Sequence, residues 1–402
     1  MKRFTETAKL IIVNALAALI LQFSGSAQVE VQGDVVRLIE QIRNAMPGQG
    51  SNGFVVPTNE ELGAFATIIG DLKGGTFADI QARLAPYGYT LFRFINSSTS
   101  DTLYVLQENS PIQRGWGTYI YNPAGTSRCA IEAPHPIWDT RSWNLAIQTF
   151  LRLHARWFQM AGTHRYANSD ESSDVAHHTQ TVFHVVHQTI GAPWALQIHG
   201  FGKSDPSYSG YPDIVISAGH FYPPDELYTL KASFESKGFL TGVFSLSTRN
   251  TLGKLGATTN VQGQWSKSAG KSFIHIESDT PIRTQVDKTE RAIQAMVETF
   301  GSSTGYDPSE APSGPYTLFP NFPNPFNGVT RVKFDIRTAS PVRLSVFDMV
   351  GRKVAVLMDE ELAAGTYERA WDTRLNPIAS GVYYLQLDVN GSSQTRKMVL
   401  VQ

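Results

Sequence analysis

The sequence predicts two folded parts: an α/β domain with a mostly parallel sheet flanked by helices, then a C-terminal all-β sandwich. From residue 129 to about 300, short apolar runs alternate with amphipathic helical patterns, as in parallel strands joined by crossover helices. Beyond residue 315 the helical patterns stop and alternating strands follow one another. Between the two parts, residues 301–314 (GSSTGYDPSEAPSG) are polar and without periodicity, which predicts a linker.

The first 27 residues have the features of an export signal. Residues 1–9 carry three basic side chains, residues 10–23 are an apolar run, and small residues follow over 24–27. This order predicts a secretory signal peptide cleaved after Ala27. The alternative is a membrane anchor, but the run is shorter than the ~20 residues that a spanning helix needs. We therefore expect no transmembrane segment after cleavage.

Composition restricts the possible partners and metal ligands. The formal net charge is −1, and removing residues 1–27 (three basic, one acidic) leaves about −3. This balance offers no basic footprint for nucleic acid. Cys129 is the only cysteine, so an intramolecular disulfide and a thiol-rich metal site are excluded. A bound metal would need histidine and carboxylate ligands.

The predicted α/β domain covers residues 28–300 and opens with a small α+β segment. Helices are predicted over 35–45 and 59–86, and TLFRFI and TLYVLQE flank the turn-rich NSSTSD as in a hairpin. GTYIYN is a candidate third strand. The later predicted strands are CAIEA, WFQMAG, WALQIHG, DIVISAG, TGVFSL and SFIHIE, and the later helices lie at about 140–156, 174–190, 224–237 and 283–299.

Five ordered motifs characterise the C-terminal part, residues 315–402. They are PNPFN, VFDMVGRKV, AGTYERAWD, ASGVYYLQL and TRKMVLV. Over residues 316–402 this order resembles the type A sorting domain of the type IX secretion system. The resemblance implies that the secretion machinery reads this part as an address. It also implies export through the periplasm to the outer cell surface or the medium. Without the resemblance, the strand pattern alone is compatible with an immunoglobulin-like adhesion module.

Histidines and acids stand near the ends of several predicted strands. Glu132 lies at the end of the strand CAIEA, His135 follows in the turn after it, and His199 lies at the end of the strand WALQIHG. Because parallel strands present their carboxyl ends at one sheet edge, these three side chains are candidate metal ligands. Two histidines and a carboxylate with a fourth position open are the pattern of a catalytic zinc site. The alternatives are a polar pair at a strand end and a structural histidine.

Further side chains are candidates for catalysis and substrate binding. Glu277 ends the strand SFIHIE, a suitable place for a general base. Arg165 and Arg283 could bind a substrate carboxylate through two hydrogen bonds. His164, beside Arg165, and Asp139 complete the substrate-binding candidates.

Four motifs, EAPHP, GTHRYAN, QIHGF and HIESDTPIR, occur in the order of the N-formylglutamate amidohydrolase-like group. That group is related in fold to zinc carboxypeptidases, and the resemblance covers roughly residues 129–300. It implies Zn²⁺ held by Glu132, His135 and His199, with Glu277 activating the attacking water and Arg165 binding the substrate. In zinc carboxypeptidases the ligand order is His-x-x-Glu, whereas here Glu132 precedes His135.

The activity implied is hydrolysis of an amide bond beside a carboxylate, in a small peptide-like or glutamyl substrate. Two alternatives stay open. One is a surface-displayed binding protein on the same fold with a degenerate metal site. The other is a hydrolase of esters or phosphoesters.

Overall fold

The structure is a computed structural model that describes residues 29–301, 316–319, 321, 324, 326–375 and 377–401. The chain divides into two compact units, Met1–Thr304 and Gly305–Gln402. The predicted signal peptide and all of the predicted linker except Gly301 lie outside the described residues. Each unit is therefore described by itself.

The first unit contains ten strands and ten α-helices among its described residues. The strands are β1 (Val29–Gly33), β2 (Tyr89–Asn96), β3 (Thr102–Glu108), β4 (Thr118–Tyr121), β5 (Ser127–Ala133), β6 (Ala155–Met160), β7 (Trp194–Phe201), β8 (Ile214–Ser217), β9 (Thr241–Val243) and β10 (Ser272–Asp279). The helices are α1 (Val35–Asn44), α2 (Asn59–Lys73), α3 (Ile80–Leu84), α4 (Ser142–Arg152), α5 (Val182–Ile190), α6 (Asp225–Ser236), α7 (Arg249–Leu252), α8 (Val261–Ser268), α9 (Thr280–Thr284) and α10 (Val286–Phe300). None of these helices has the length and apolar character that a bilayer crossing requires.

All ten strands belong to one mixed sheet, in the order β1-β2-β3-β4-β6-β5-β7-β10-β8-β9. The central strands β6, β5, β7 and β10 run parallel, as do the pairs β1–β2 and β8–β9. The pairs β2–β3, β3–β4, β4–β6 and β10–β8 are antiparallel. Five of the nine neighbouring pairs are thus parallel, so the sheet is mixed, and its longest parallel part is the four central strands. The predicted hairpin and third strand extend this sheet, because short connections produce antiparallel neighbours.

Two predicted helices are shorter than their sequence patterns. The helical region expected over 59–86 is interrupted after α2, where Gly74 caps the helix and Gly75 has a positive φ of 75°. The helix expected over 174–190 begins only at Val182. Its N-cap is Thr181, whose side chain accepts the His184 N–H. The residues before this cap are thereby free to form loops beside the sheet edge.

The two faces of the central sheet differ in chemistry. One face buries Ile131, Leu196, Ile198 and Ile274 against α1, α4, α6 and α10 in a large apolar core. Strand alternation turns the intervening side chains to the opposite face. There Glu132, Gln197 and His275 lie side by side, because Glu132 and His275 both pair with Gln197 in register. Apolar packing thus places a row of buried polar groups under the carboxyl ends of the strands.

The second unit is an antiparallel all-β region, as predicted. Its strands are β11 (Tyr316–Leu318), β12 (Val329–Ile336), β13 (Ser340–Asp348), β14 (Lys353–Leu362), β15 (Gly365–Asp372), β16 (Gly381–Val389) and β17 (Ser392–Leu400). They form a three-stranded sheet, β11-β12-β15, and a four-stranded sheet, β14-β13-β16-β17. Phe334 of the first sheet and Leu344 and Leu385 of the second belong to one fully buried core.

Each unit has its own hydrophobic core, so we predict that each unfolds as a separate cooperative unit. A mature chain ending at Gly301 should keep one calorimetric transition, within about 2 °C of the corresponding transition in the full-length protein. The second transition should disappear. Loss of cooperative unfolding in the shortened chain would contradict the division into two folding units.

Candidate metal centre

A cavity of about 470 Å³ opens beside the carboxyl ends of β7 and β10. Its lining includes six of the predicted site residues and His275. The predicted residues are His135, Asp139, Arg165, His199, Glu277 and Arg283. These side chains therefore lie together near the carboxyl ends of the strands, which agrees with the position expected from the sequence. Neither Glu132 nor His164 lines this cavity.

His135, Asp139 and His199 converge at the base of the cavity. A turn after β5, closed by the hydrogen bond from the Asp139 N–H to the His135 carbonyl (3.0 Å), brings the first two side chains together. Asp139 Oδ2 lies 3.1 Å from His199 Nδ1 and 3.6 Å from His135 Nδ1. All three side chains are buried, and the three donor atoms lie within 4.8 Å of one another. Such spacing is compatible with metal–ligand bonds of about 2.0–2.2 Å.

His199 faces an oxygen atom with each of its ring nitrogens, whereas Nδ1 of His135 lies 3.6 Å from Asp139, beyond hydrogen-bond distance. The second nitrogen of His135, Nε2, lies 2.9 Å from Asp174 Oδ1, and Nε2 of His199 lies 2.9 Å from Gln197 Oε1. A neutral His199 has only one N–H, so it can donate to only one of its two oxygen neighbours. Protonation of the ring would resolve the conflict, and so would a cation between Nδ1 and Asp139. A ligand nitrogen toward the metal and an N–H toward an acceptor is the usual arrangement of metal-binding histidines.

The carboxylates of Asp139 and Asp174 carry negative charge beside the two imidazoles. Burial opposes ionisation of Asp139, but the neighbouring imidazoles of His135 and His199 hold its pKa well below the usual range. The pKa of Asp174 is likewise low despite burial, because His135 and His177 bond to its carboxylate. Burial lowers the pKa of His199 to about 4, so this ring is neutral near pH 7 without a cation. Ionised carboxylates beside neutral imidazole nitrogen are suitable ligands for a divalent cation.

A second group, His199, His275 and Glu277, could also hold a metal ion, and its donor atoms meet the same 4.8 Å limit. Glu277 pairs with His199 in the sheet register, so both side chains emerge in the same row. Burial and the negative charge of Asp139 raise the pKa of Glu277 to about 8. Within the described residues, Glu277 Oε2 and His275 Nδ1 are buried atoms without a hydrogen-bond partner. Unpaired buried groups are uncommon and mark a place where a ligand can bind.

Glu132 is not in either group of donor atoms. Its carboxylate accepts hydrogen bonds from Gln159 Nε2 (2.7 Å) and Gln197 Nε2 (3.0 Å), and His187 Nδ1 lies 2.6 Å away. The strand register explains this position, because Glu132 is aligned with Gln197, two residues before His199. Asp139, expected to bind substrate, is the carboxylate that lies between His135 and His199.

Glu132, His187 and Ser266 are ordered like a hydroxyl–imidazole–carboxylate triad. The Ser266 hydroxyl lies 2.9 Å from His187 Nε2. All three side chains are buried, and none of them lines the cavity. A substrate could not reach this hydroxyl. The three groups therefore satisfy one another's hydrogen bonds on the sheet face behind the candidate metal ligands.

The two predicted substrate-binding arginines have partners within the protein. Arg165 forms an ion pair with Asp174, and its Nη1 lies 3.5 Å from His135 Nδ1. Arg283 is buried and donates to three main-chain carbonyls. These belong to Thr140, Phe201 (2.7 Å) and Ser278 (3.2 Å). Arg283 is thus engaged in holding loops, whereas part of Arg165 still faces the cavity.

His164 and Lys254 complete the surroundings of the cavity. His164 Nδ1 accepts the Tyr166 N–H at 3.0 Å, and its ring stacks edge-to-face on Trp138, with centroids 5.5 Å apart. Exposed Lys254, which the sequence analysis did not single out, lines the cavity. Its Nζ lies 5.7 Å from the centroid of the Tyr208 ring, and among the described residues it forms no ion pair within 4.0 Å. Lys254 lies in a single 3₁₀ turn, Gly253–Leu255, and a lysine in such a turn has no distinctive sequence pattern.

Comparison with known proteins identifies the second unit. Residues 321–402 match the family described as the secretion system C-terminal sorting domain. The second unit is a type IX sorting domain. It indicates secretion to the cell surface and interaction with the type IX machinery, as the motifs predicted. No family match supports the hydrolase resemblance of residues 129–300, which stays a prediction.

Solved structures with some likeness to the chain include three of different kinds. Dimeric latent PorU from Porphyromonas gingivalis is 21% identical over 21% of this chain, with a TM-score of 0.19. The chain covers only 9% of the PorU chain. The gene product Atu2144 from Agrobacterium tumefaciens is 11% identical over 44% of this chain and 89% of its own, with a TM-score of 0.30. An endo-beta-1,4-mannanase from Thermotoga petrophila is 13% identical over 54% of this chain and 40% of its own, with a TM-score of 0.17.

These TM-scores are too low to say anything about the function of this chain. A search of the curated proteins finds no match.

We predict that zinc affinity depends on Asp139 and not on Glu132. Asp139→Ala should weaken zinc binding by about 100-fold or more, because it removes a donor between two imidazoles. Glu132→Gln removes an equally buried carboxylate and should change the affinity by less than about threefold. Competition with a chromophoric chelator measures both. The reverse order of effects would return the ligand role to Glu132.

Proposed function

We propose that the first unit is an exported zinc-dependent hydrolase that cleaves an amide bond beside a carboxylate. The observation that carries the proposal is the convergence of His135, Asp139 and His199 at a cavity that also holds the unpaired carboxylate oxygen of Glu277. Two imidazoles and one carboxylate leave a coordination position open, as catalytic zinc sites do. The chemistry of the donors is nitrogen and oxygen without sulfur, which also suits zinc.

When bound, zinc would polarise the scissile carbonyl and lower the pKa of water at the site. Glu277 is the residue that we propose transfers the proton. Its side chain lines the cavity, and burial raises its pKa to about 8, near the pH at which a general base is effective. A bound cation would bring that pKa down, which favours the basic form. Glu277 would take a proton from the attacking water and pass it to the leaving amine.

Substrate size and charge follow from the cavity. About 470 Å³ is a volume suited to a small ligand such as an acylated amino acid or short peptide. Because Arg283 and most of Arg165 are engaged with the protein, Lys254 is the cation most available to a substrate carboxylate.

We predict that Glu277→Gln lowers turnover by about 10²–10⁴-fold, the range for one acid–base group. Zinc content should stay near that of the wild type, because Glu277 is not one of the three proposed ligands. His135→Ala should instead lose zinc and turnover together. Activity is measured on a panel of N-acyl amino acids, with esters and phosphoesters as alternative substrates.

Wild-type turnover in Glu277→Gln would remove this residue from the mechanism. A wild-type protein that binds no zinc and hydrolyses none of the panel would favour a surface-displayed binding protein.

Lys254→Gln should raise KM for a carboxylate-bearing substrate by about 10-fold, the loss expected for one charge-assisted hydrogen bond. It should leave KM for the corresponding neutral methyl amide nearly unchanged. Lys267→Gln is the matched control, because Lys267 is exposed and does not line the cavity. Equal effects on charged and neutral substrates would show that Lys254 does not bind the carboxylate.

A further inference from the structure

Gln197 lies directly behind His199 in a chain of hydrogen bonds with a defined direction. Asn260 is the N-cap of α8, and its Oδ1 accepts the Gly263 N–H at 3.0 Å. Its amide nitrogen must therefore be the atom that faces Gln197, and it donates to Gln197 Oε1 at 2.6 Å. The helix cap thus fixes which end of the Gln197 amide points toward Asn260.

The other end of the Gln197 amide is fixed independently. Its Nε2 donates to Glu132 Oε2 at 3.0 Å and lies 3.4 Å from Gln262 Oε1. A flipped amide would place Oε1 against the Glu132 carboxylate and Nε2 against the Asn260 amide nitrogen. Both contacts would be between like groups, so the amide has one satisfactory orientation.

This orientation determines where His199 carries its hydrogen. Nε2 of His199 lies 2.9 Å from Gln197 Oε1, and at this distance one of the two atoms must supply a hydrogen. A carbonyl oxygen has none to supply, so Nε2 carries it. Without this bond, the Asp139 carboxylate 3.1 Å from Nδ1 would favour a hydrogen on Nδ1 and occupy the lone pair there.

We propose that Gln197 is a positioning residue that holds a hydrogen on His199 Nε2 and so keeps the Nδ1 lone pair available to a cation beside Asp139. The inference rests on the proposed zinc site for its purpose. The direction of the hydrogen-bond chain, however, is a property of the protein without metal. Glu132, the predicted ligand, is one of two groups that orient Gln197, the other being Asn260, and it does not touch the cation.

The direction of the hydrogen-bond chain from Asn260 through Gln197 to His199 can be reversed with two nearly isosteric substitutions. In the double variant Glu132→Gln/Asn260→Asp, position 132 gains amide hydrogens and position 260 offers only acceptors. Aspartate is as good an N-cap as asparagine, so α8 keeps its cap. The Gln197 amide should turn over and donate from Nε2 to His199, which moves the imidazole hydrogen to Nδ1.

Nitrogen-15 NMR of the zinc-free mature protein reads the result, with His199→Gln to assign the signal. Nε2 of His199 should carry a hydrogen in the wild type and none in the double variant. Zinc affinity should fall by about 10–100-fold in the double variant, as for loss of other groups that orient metal ligands. Glu132→Gln alone should stay within about threefold of the wild type, because Asn260 still orients Gln197.

If the double variant does not fold, Gln197→Met and Gln159→Met form a second pair. Both remove a buried glutamine that binds Glu132, but only Gln197 contacts His199. Zinc affinity should fall at least about 10-fold in the first variant and change little in the second. Equal affinities, or a wild-type His199 without hydrogen on Nε2, would overturn the inference. Absence of zinc binding in the wild type would instead refute the proposed function. The NMR result would still decide whether Gln197 holds the hydrogen on His199 Nε2.

Discussion

The candidate site depends on the buried guanidinium of Arg283. It occupies space left by Gly200, where a Cβ atom would lie 1.9 Å from Arg283 Cζ. From this position Arg283 donates to carbonyls on three separate segments, those of Thr140, Phe201 and Ser278. Each carbonyl is within two residues of a side chain at the cavity, namely Asp139, His199 and Glu277. One cation therefore joins the loop after β5 to the ends of β7 and β10, and a smaller or uncharged side chain could not bond all three.

The polar groups at this sheet edge form two layers, one that lines the cavity and one buried behind it. Behind the candidate ligands, Gln197 and Asp174 each bond to an imidazole nitrogen, and Glu132 in turn bonds to Gln197. Along the cavity itself, Arg165, Glu277 and His275 each have a buried polar atom without a partner among the described residues. Leaving such an atom unpaired costs roughly 1–3 kcal/mol, so three beside one cavity are a substantial local penalty. Binding of a polar ligand there would offset it.

The sequence was sufficient to predict His135, His199 and Glu277 at one edge, because the ends of neighbouring parallel strands meet there whatever the loops do. It did not indicate which carboxylate, that of Glu132 or that of Asp139, lies between His135 and His199. That choice depends on the strand register, which places Glu132 opposite Gln197, and on a turn that brings Asp139 back toward His135. The partners of Arg283 are main-chain carbonyls, which have no sequence signature. The antiparallel flanks of the sheet likewise depend on pairings between β4 and β6 that alternation alone does not specify.

The composition of the site agrees with the destination that the sorting domain indicates. Protein thiols outside the cell are exposed to an oxidising environment, where thiolate ligands are lost to disulfides and sulfur acids. The one cysteine, Cys129, is buried in the apolar core, and burial raises its pKa to about 12, which keeps it an unreactive thiol. Imidazole and carboxylate ligands do not undergo this chemistry. A cation site made of His135, Asp139 and His199 would therefore keep its donors intact at the cell surface, and its affinity would depend on preorganisation by neighbouring side chains rather than on thiolate bonds.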